Sequence, residues 1–197
     1  MRQFLERPDS GEIRLVPPVP SKGKEEILRQ YGLEDAENIV LLNPGAGWAA
    51  KRWSPEKYHI LAQRLAEAGY AVVVSGAPDE KELCEQVAEG ISGAKAVCGA
   101  LSDTISLLPH CRAVVGSDSG VIHMAASFDV PTVSLFCPTN PLFGAPLGRR
   151  SIVLQTVCPR RPHPDEQYCG GKPLLTCEKT DCMDFSVEQV EDAVRGT

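Results

Sequence analysis

From Asn38 onward the chain alternates short apolar runs with segments of helical periodicity, and few folds satisfy such an alternation. The runs Ile39 to Asn43, Ala71 to Ser75, Ala96 to Cys98, Ala113 to Gly116 and Thr132 to Phe136 are too short for helices and almost wholly apolar. Strands of that kind are buried on both faces of a parallel sheet. The expected fold is therefore α/β, a Rossmann-like parallel sheet with helices on both faces. A further strand-like run, Ile152 to Thr156, follows a Pro- and Gly-rich loop at 137–148.

The helical segments carry their own punctuation. Ser54 and Pro55 read as an N-cap and first helical residue, with Tyr58, Leu61, Ala62 and Leu65 on one face and Gly69 as the stop. Asp79 is expected to cap the next helix, which turns Leu83 and Val87 inward, and Ser102 a short third helix carrying Ile105 and Leu108. Ser186 and Gln189 form a capping box ahead of Val187, Val190 and Val194. Residues 1–37, with Pro17, Pro18 and Pro20 and a charged helical stretch from Lys22 to Tyr31, read as a linker into a domain at 38–197. That domain includes a cysteine-containing tail at 158–182 and the C-terminal helix.

Composition excludes several functions. With 43% hydrophobic and 23% charged residues and a net charge of -6, the chain has the balance of a globular domain and no basic stripe for nucleic acid. No apolar run reaches the roughly 20 residues needed to cross a bilayer, and the first residues lack a secretory signal, so a cytoplasmic location is expected. Of eight cysteines, Cys84, Cys98, Cys111 and Cys137 read as reduced core residues. Cys158, Cys169, Cys177 and Cys182 lack the C-x-x-C spacing of a strong zinc site; their pattern admits unliganded thiols, a metal site or disulfides.

Two strand ends are suited to anions. Asn43-Pro44-Gly45-Ala46-Gly47 leads to Lys51-Arg52-Trp53 between a buried strand and a capped helix, where ligands of open α/β sheets bind. Gly45 and Gly47 let backbone N–H groups approach an anion, Ala46 lies between them, and Lys51 adds a positive charge. A P-loop requires glycine at position 50 and Ser or Thr at 52, whereas the chain has Ala50 and Arg52. The dinucleotide fingerprint fails at Ala50 as well. The plain alternative is a glycine turn with solvated basic residues.

The second end, Ser117-Asp118-Ser119-Gly120-Val121-Ile122-His123, again enters a helix, whose free N–H groups attract anions. Here the alternatives are Asp118 as a helix cap and His123 as a structural histidine. A third end, Ser75 to Glu80, offers carboxylates that serve either a ribose or a helix start. His59, His110 and His163 stand alone and read as structural or surface residues. The absence of any D-x-D triplet favours neutralisation of a diphosphate without metal, by Lys51 and backbone dipoles.

Together these residues resemble the ADP-heptose lipopolysaccharide heptosyltransferases, family 9 of the glycosyltransferases. The similarity runs through Pro44-Gly45-Ala46 with Lys51-Arg52-Trp53, Gly76-Ala77-Pro78, Asp118 to Ala126, Pro131-Thr132-Val133, Phe136 and Pro138-Thr139. It continues in the tail with Cys158 and Cys182-Met183. The resemblance implies the C-terminal, donor-binding half of a GT-B fold, and inverting transfer of heptose from ADP-heptose to a lipopolysaccharide core acceptor. Lys51 is then the diphosphate ligand and leaving-group stabiliser, Glu80 the ribose-facing acid, and Asp118, Ser119, Gly120 and His123 line the donor site. It also implies that the acceptor site and general base belong to an N-terminal half outside this sequence, and that the complete enzyme associates peripherally with the inner face of the cytoplasmic membrane. No metal cofactor is expected. The rival readings are a non-catalytic nucleotide-sugar-binding or interaction module and a metal-binding protein using the terminal cysteines.

Overall fold

A computed structural model describes residues 15–158 and 181–197. Six strands, β1 (Ile39–Asn43), β2 (Ala71–Gly76), β3 (Ala94–Cys98), β4 (Cys111–Ser117), β5 (Thr132–Phe136) and β6 (Ser151–Gln155), form one sheet. All neighbours are parallel, in the order β3-β2-β1-β4-β5-β6. The chain builds outward from β1 to β3, then returns to the other side of β1 and builds outward again. The strand order therefore reverses between β1 and β4, and in open α/β sheets the crevice at such a reversal is the ligand site.

Alternation along the inner strands separates two apolar cores. Val40, Leu42, Val72, Val74, Ala113 and Val115 face one side, where they meet Tyr58, Leu61 and Leu65 of α2 (Pro55–Glu67), Cys84 and Val87 of α3 (Lys81–Ala88) and Val190 and Val194 of α7 (Val187–Arg195). Ile39, Leu41, Val73 and Val114 face the other, where they meet Ile27 and Leu28 of α1 (Lys24–Gln30), Leu107 of α4 (Leu101–Leu107) and Ile122 and Ala125 of α5 (Gly120–Ser127). A short helix, α6 (Pro141–Gly144), follows β5. The Rossmann-like expectation holds, with helices on both faces.

The element boundaries differ from expectation mainly at the sheet edges. β3 begins at Ala94 and β6 at Ser151, and both are only partly buried, so their apolar pattern is weak. The caps at Ser54 and Ser186 form as expected: Ser54 accepts from the Lys57 N–H at 3.3 Å, and Ser186 and Gln189 exchange hydrogen bonds of 3.2 and 2.9 Å. Two expected caps do not. Pro78–Glu80 is a 3-10 turn, so α3 starts beyond Asp79, and α4 starts at Leu101 with Ala100 at the cap position instead of Ser102. Leu83 is only partly buried; Cys84 takes the inward position beside Val87.

The described part of the segment before β1 is packed into the fold. Ile27, Leu28 and Leu33 are buried in the second core. Asp103 on α4 accepts from Lys22 Nζ at 2.6 Å, Tyr31 Oη at 2.7 Å and Gln30 Nε2 at 2.9 Å. The Lys22 bond foremost, with those from Tyr31 and Gln30, holds the Asp103 carboxyl below its usual range despite burial. Burial and this carboxylate push the Tyr31 hydroxyl up to about 12. Removing a carboxylate that receives three donors forfeits charge-assisted bonds, so Asp103→Ala is expected to cost about 2–3 kcal/mol in urea unfolding. Faster amide exchange across α1 should accompany that loss; unchanged exchange there would show that α1 is held by its apolar face alone.

Candidate functional site

The carboxyl ends of β1, β2, β3 and β4 surround a cleft of about 350 Å3 on the reversal of strand order. Gly45, Ala46 and Gly47 form one wall, Gly76 to Pro78 with Glu80 another, Gly99 to Leu101 with Thr104 a third, and Ser119 with Val121 the entrance to α5. A larger depression of about 660 Å3 runs along α1, lined only by residues of that helix and Gly23. It is a solvated helix face to which no second element brings functional groups.

The candidate residues fall into two groups. Glu80 crosses the cleft to cover Gly45, whose missing side chain leaves the space that its carboxylate occupies. The Ala77 N–H donates to Glu80 Oε2 at 3.0 Å, so the acid also closes the start of its own turn. Gly76 similarly makes room for Cys84, because a Cβ there would stand 2.6 Å from its Sγ. The helix-start and cleft-facing readings of this acid are therefore satisfied by the same side chain.

The second group lies just beyond Ser119. Lys51 Nζ donates to Asp118 Oδ2 at 2.7 Å and to the Asp118 carbonyl at 3.3 Å, and stands 4.4 Å from the centre of the Trp48 ring. His123 Nε2 is 3.6 Å from Asp118 Oδ1. Burial alone would raise the Asp118 pKa; hydrogen bonding from His123 and the Lys51 ammonium outweigh it and bring the carboxyl down to about 2. The cap alternative for Asp118 is not what forms. Ser119 occupies the N-cap of α5, and no side chain caps that helix.

Other side chains complete the arrangement without having stood out in the sequence. Asn43, nearly fully buried, donates from Nδ2 to the Ser75 carbonyl at 2.9 Å and accepts from Ser119 Oγ at 3.2 Å. Tyr58 Oη donates to the Asn43 carbonyl at 3.2 Å, and burial pushes its pKa up, so it remains a donor. Ser75 and Thr104 share a 3.1 Å hydroxyl contact below the cleft. The Ser117 hydroxyl fixes the Lys51 carbonyl at 2.5 Å. Trp53, by contrast, belongs to the core: its Nε1 donates to the Phe185 carbonyl at 3.1 Å and its ring meets Tyr58 edge-on.

The remaining candidates separate from the cleft. His59 Nδ1 pairs with the Val87 carbonyl at 3.1 Å, and burial holds the His110 pKa down. His163, Cys169 and Cys177 lie outside the described residues. Cys84 and Cys111 are buried free thiols and Cys98 a partly exposed one, while Cys137 is buried. Cys158 and Cys182 are buried too, and the Cys182 thiol is pushed up by burial and by its neighbours Cys137 and Cys158. Cys158 and Cys182 thus lie beside a core cysteine, Cys137. Among the described residues, no three His, Cys, Asp or Glu side chains are arranged to hold a metal ion, and no helix is long and apolar enough to cross a membrane.

A parallel sheet with a nucleotide-sized cleft at its strand reversal defines the class of Rossmann-like ligand-binding domains. The profile of glycosyltransferase family 9 (heptosyltransferase) matches residues 18–168, and the chain belongs to that family. It is 34% identical over 148 residues to lipopolysaccharide heptosyltransferase 1 of Pseudomonas aeruginosa, an alignment covering 70% of this chain and 41% of that protein. The fold is similar to that of the Escherichia coli ADP-heptose lps heptosyltransferase II, with a TM-score of 0.74 at 24% identity over 91% of this chain and 52% of that one. The E. coli heptosyltransferase WaaC with ADP-2-deoxy-2-fluoro heptose is 26% identical, with a TM-score of 0.55 over 62% of this chain and 38% of that one. The chain spans about half, or less, of each relative.

The depressed Asp118 pKa has a defined consequence for stability. Because the folded value lies below the unfolded one of roughly 3.9, the ionised carboxylate stabilises the fold fully above that value, and the contribution disappears as pH falls toward about 2. The melting-temperature gap between the native chain and Asp118→Asn is expected to be constant from neutral pH to about 5 and to close between about 4 and 2. A gap independent of pH across that range would mean that Asp118 is not stabilised as its ion.

Proposed function

We propose that this chain is the donor-binding part of an inverting heptosyltransferase, taking heptose from ADP-heptose or a closely related nucleotide-diphospho-sugar to a lipopolysaccharide core acceptor. The observation that carries the reading is the cleft itself, in which the glycine wall at 45–47 faces the uncapped N-terminus of α5 with Lys51 one residue from the rim. Family membership and the nucleotide-sugar analogue on WaaC support the donor class.

In this reading the diphosphate lies between the 45–47 backbone and the first N–H groups of α5. Those dipoles, each worth about 0.3–1 kcal/mol, act with a full charge from Lys51. Asp118 takes two bonds from the Lys51 ammonium and leaves its third proton for a phosphate oxygen. As the bond to the sugar breaks, negative charge grows on the leaving ADP, and a preplaced ammonium in a partly dry site stabilises that charge more than the ground state. Glu80, across the cleft, accepts from the ribose hydroxyls. Asp118 and His123 stand on the sugar side. The general base that deprotonates the acceptor belongs to the acceptor-binding part of the enzyme, and that complete enzyme works at the inner face of the cytoplasmic membrane.

Calorimetric titration with ADP tests the reading. The chain is expected to bind ADP without added metal, and Lys51→Ala to weaken binding by about fivefold or more, because one charge-assisted contact is lost and Asp118 is left uncompensated. Failure of the native chain to bind ADP would remove the donor reading. Unchanged affinity in Lys51→Ala would remove this lysine from the diphosphate site.

A further inference from the structure

We infer that Asn43 is a positioning residue, one that keeps the N-terminus of α5 open to the donor diphosphate by holding the Ser119 hydroxyl away from it. The inference rests on the donor reading above. Its basis is a chain of donor and acceptor assignments that leaves little freedom. The Ser75 carbonyl can only accept, so the atom of Asn43 that faces it at 2.9 Å is the amide nitrogen. The amide oxygen then faces Ser119 Oγ at 3.2 Å, and the hydroxyl must donate to it.

Ser119 occupies the N-cap of α5 with extended backbone angles, φ -146° and ψ 161°, the position where serine ordinarily accepts from the N–H groups two and three residues on. Here it makes no such bond. Those groups belong to Val121 and Ile122, and Val121 lines the cleft. A cap of this kind ordinarily stabilises a helix, so the chain forgoes that contribution at a helix whose N-terminus opens into the cleft. The diverted hydroxyl leaves the N–H groups and the dipole for an anion.

Asn43 is suited to the task because it is itself immobile. It is 5% exposed, stands at the end of the central strand, and is tied to β2 through Ser75 and to α2 through Tyr58. Without its amide oxygen, the Ser119 hydroxyl turns to the Val121 and Ile122 N–H groups and competes with the phosphate for them.

A double-substitution cycle read by ADP calorimetry tests this. Asn43→Ala is expected to weaken ADP binding by about fivefold, the size of a side-chain cap that must be displaced. In the Ser119→Ala background, where no hydroxyl can turn onto the helix, the same substitution is expected to change affinity less than about twofold. The melting temperature should fall in both backgrounds, because the Ser75 bond is lost in each. Equal losses of affinity in the two backgrounds would overturn the inference, because Asn43 would then act only by supporting the fold. Affinity within twofold of the native chain in Asn43→Ala would overturn it too, while leaving the donor reading intact. Absence of ADP binding by the native chain would instead overturn the donor reading and this inference with it. Asn43→Ser, which retains a donor for Ser75 and leaves a smaller void, serves the same cycle if Asn43→Ala does not fold.

Discussion

β1 is hydrogen-bonded on both edges and buried on both faces, and its carboxyl end is the point from which the cleft is built. Its neighbours belong to the two opposite directions in which the sheet grows, so the loops beyond β2 and β4 diverge around it. A single side chain spans that divergence. Asn43 reaches the Ser75 carbonyl on one side and Ser119 on the other, while its own carbonyl is held by Tyr58. Burying such a polar residue is tolerable only when its groups are paired, and the pairing ties β2, the start of α5 and α2 to the end of β1.

Charge in the site follows a similar economy. A lone ammonium or carboxylate at the partial burial of Lys51 and Asp118 would be costly, with side chains 14% and 18% exposed, and each makes the other tolerable. The pairing also sets direction. Bonds to the carboxylate and carbonyl of Asp118 fix the ammonium beside the entrance to α5, and the Trp48 ring closes one further side. A lysine held in this way is a better-defined phosphate ligand than a solvated one, at the expense of part of its net charge.

What could be read from the sequence depended on whether the signal was local. The central strands are legible because burial on both faces demands continuous apolar runs, whereas β3, with the exposed Lys95 between Ala94 and Ala96, is blurred by its place at the edge. Ser54 and Ser186 are legible caps because each acts within three residues, and Asp79 misleads because Pro78 opens a 3-10 turn ahead of the helix. Gly45, Lys51 and Asp118 stand out as residue types at strand ends. Asn43 does not, since its two amide partners lie 32 and 76 residues away and nothing local distinguishes it from a strand terminus. The company of Cys182 is equally invisible, because Cys137 and Cys158, 45 and 24 residues away, meet it only in the folded chain.

The segment from Trp48 to Trp53 shows why the site and the core cannot be separated. Lys51 faces the strand reversal, while Trp53, two residues on, is 1% exposed and donates to the Phe185 carbonyl ahead of α7. Lys57 reaches the same carbonyl at 2.8 Å, so the C-terminal segment is tied to the start of α2 by two donors on one acceptor. The Ser117 hydroxyl meanwhile pins the Lys51 carbonyl to β4. The loop that carries Lys51 is thus anchored to the sheet at Lys51 and to the C-terminal segment at Trp53. Its geometry is inherited from the packed fold, and the loop carrying the ammonium is braced by Phe185, ahead of α7, although neither Phe185 nor any residue of α7 lines the cleft.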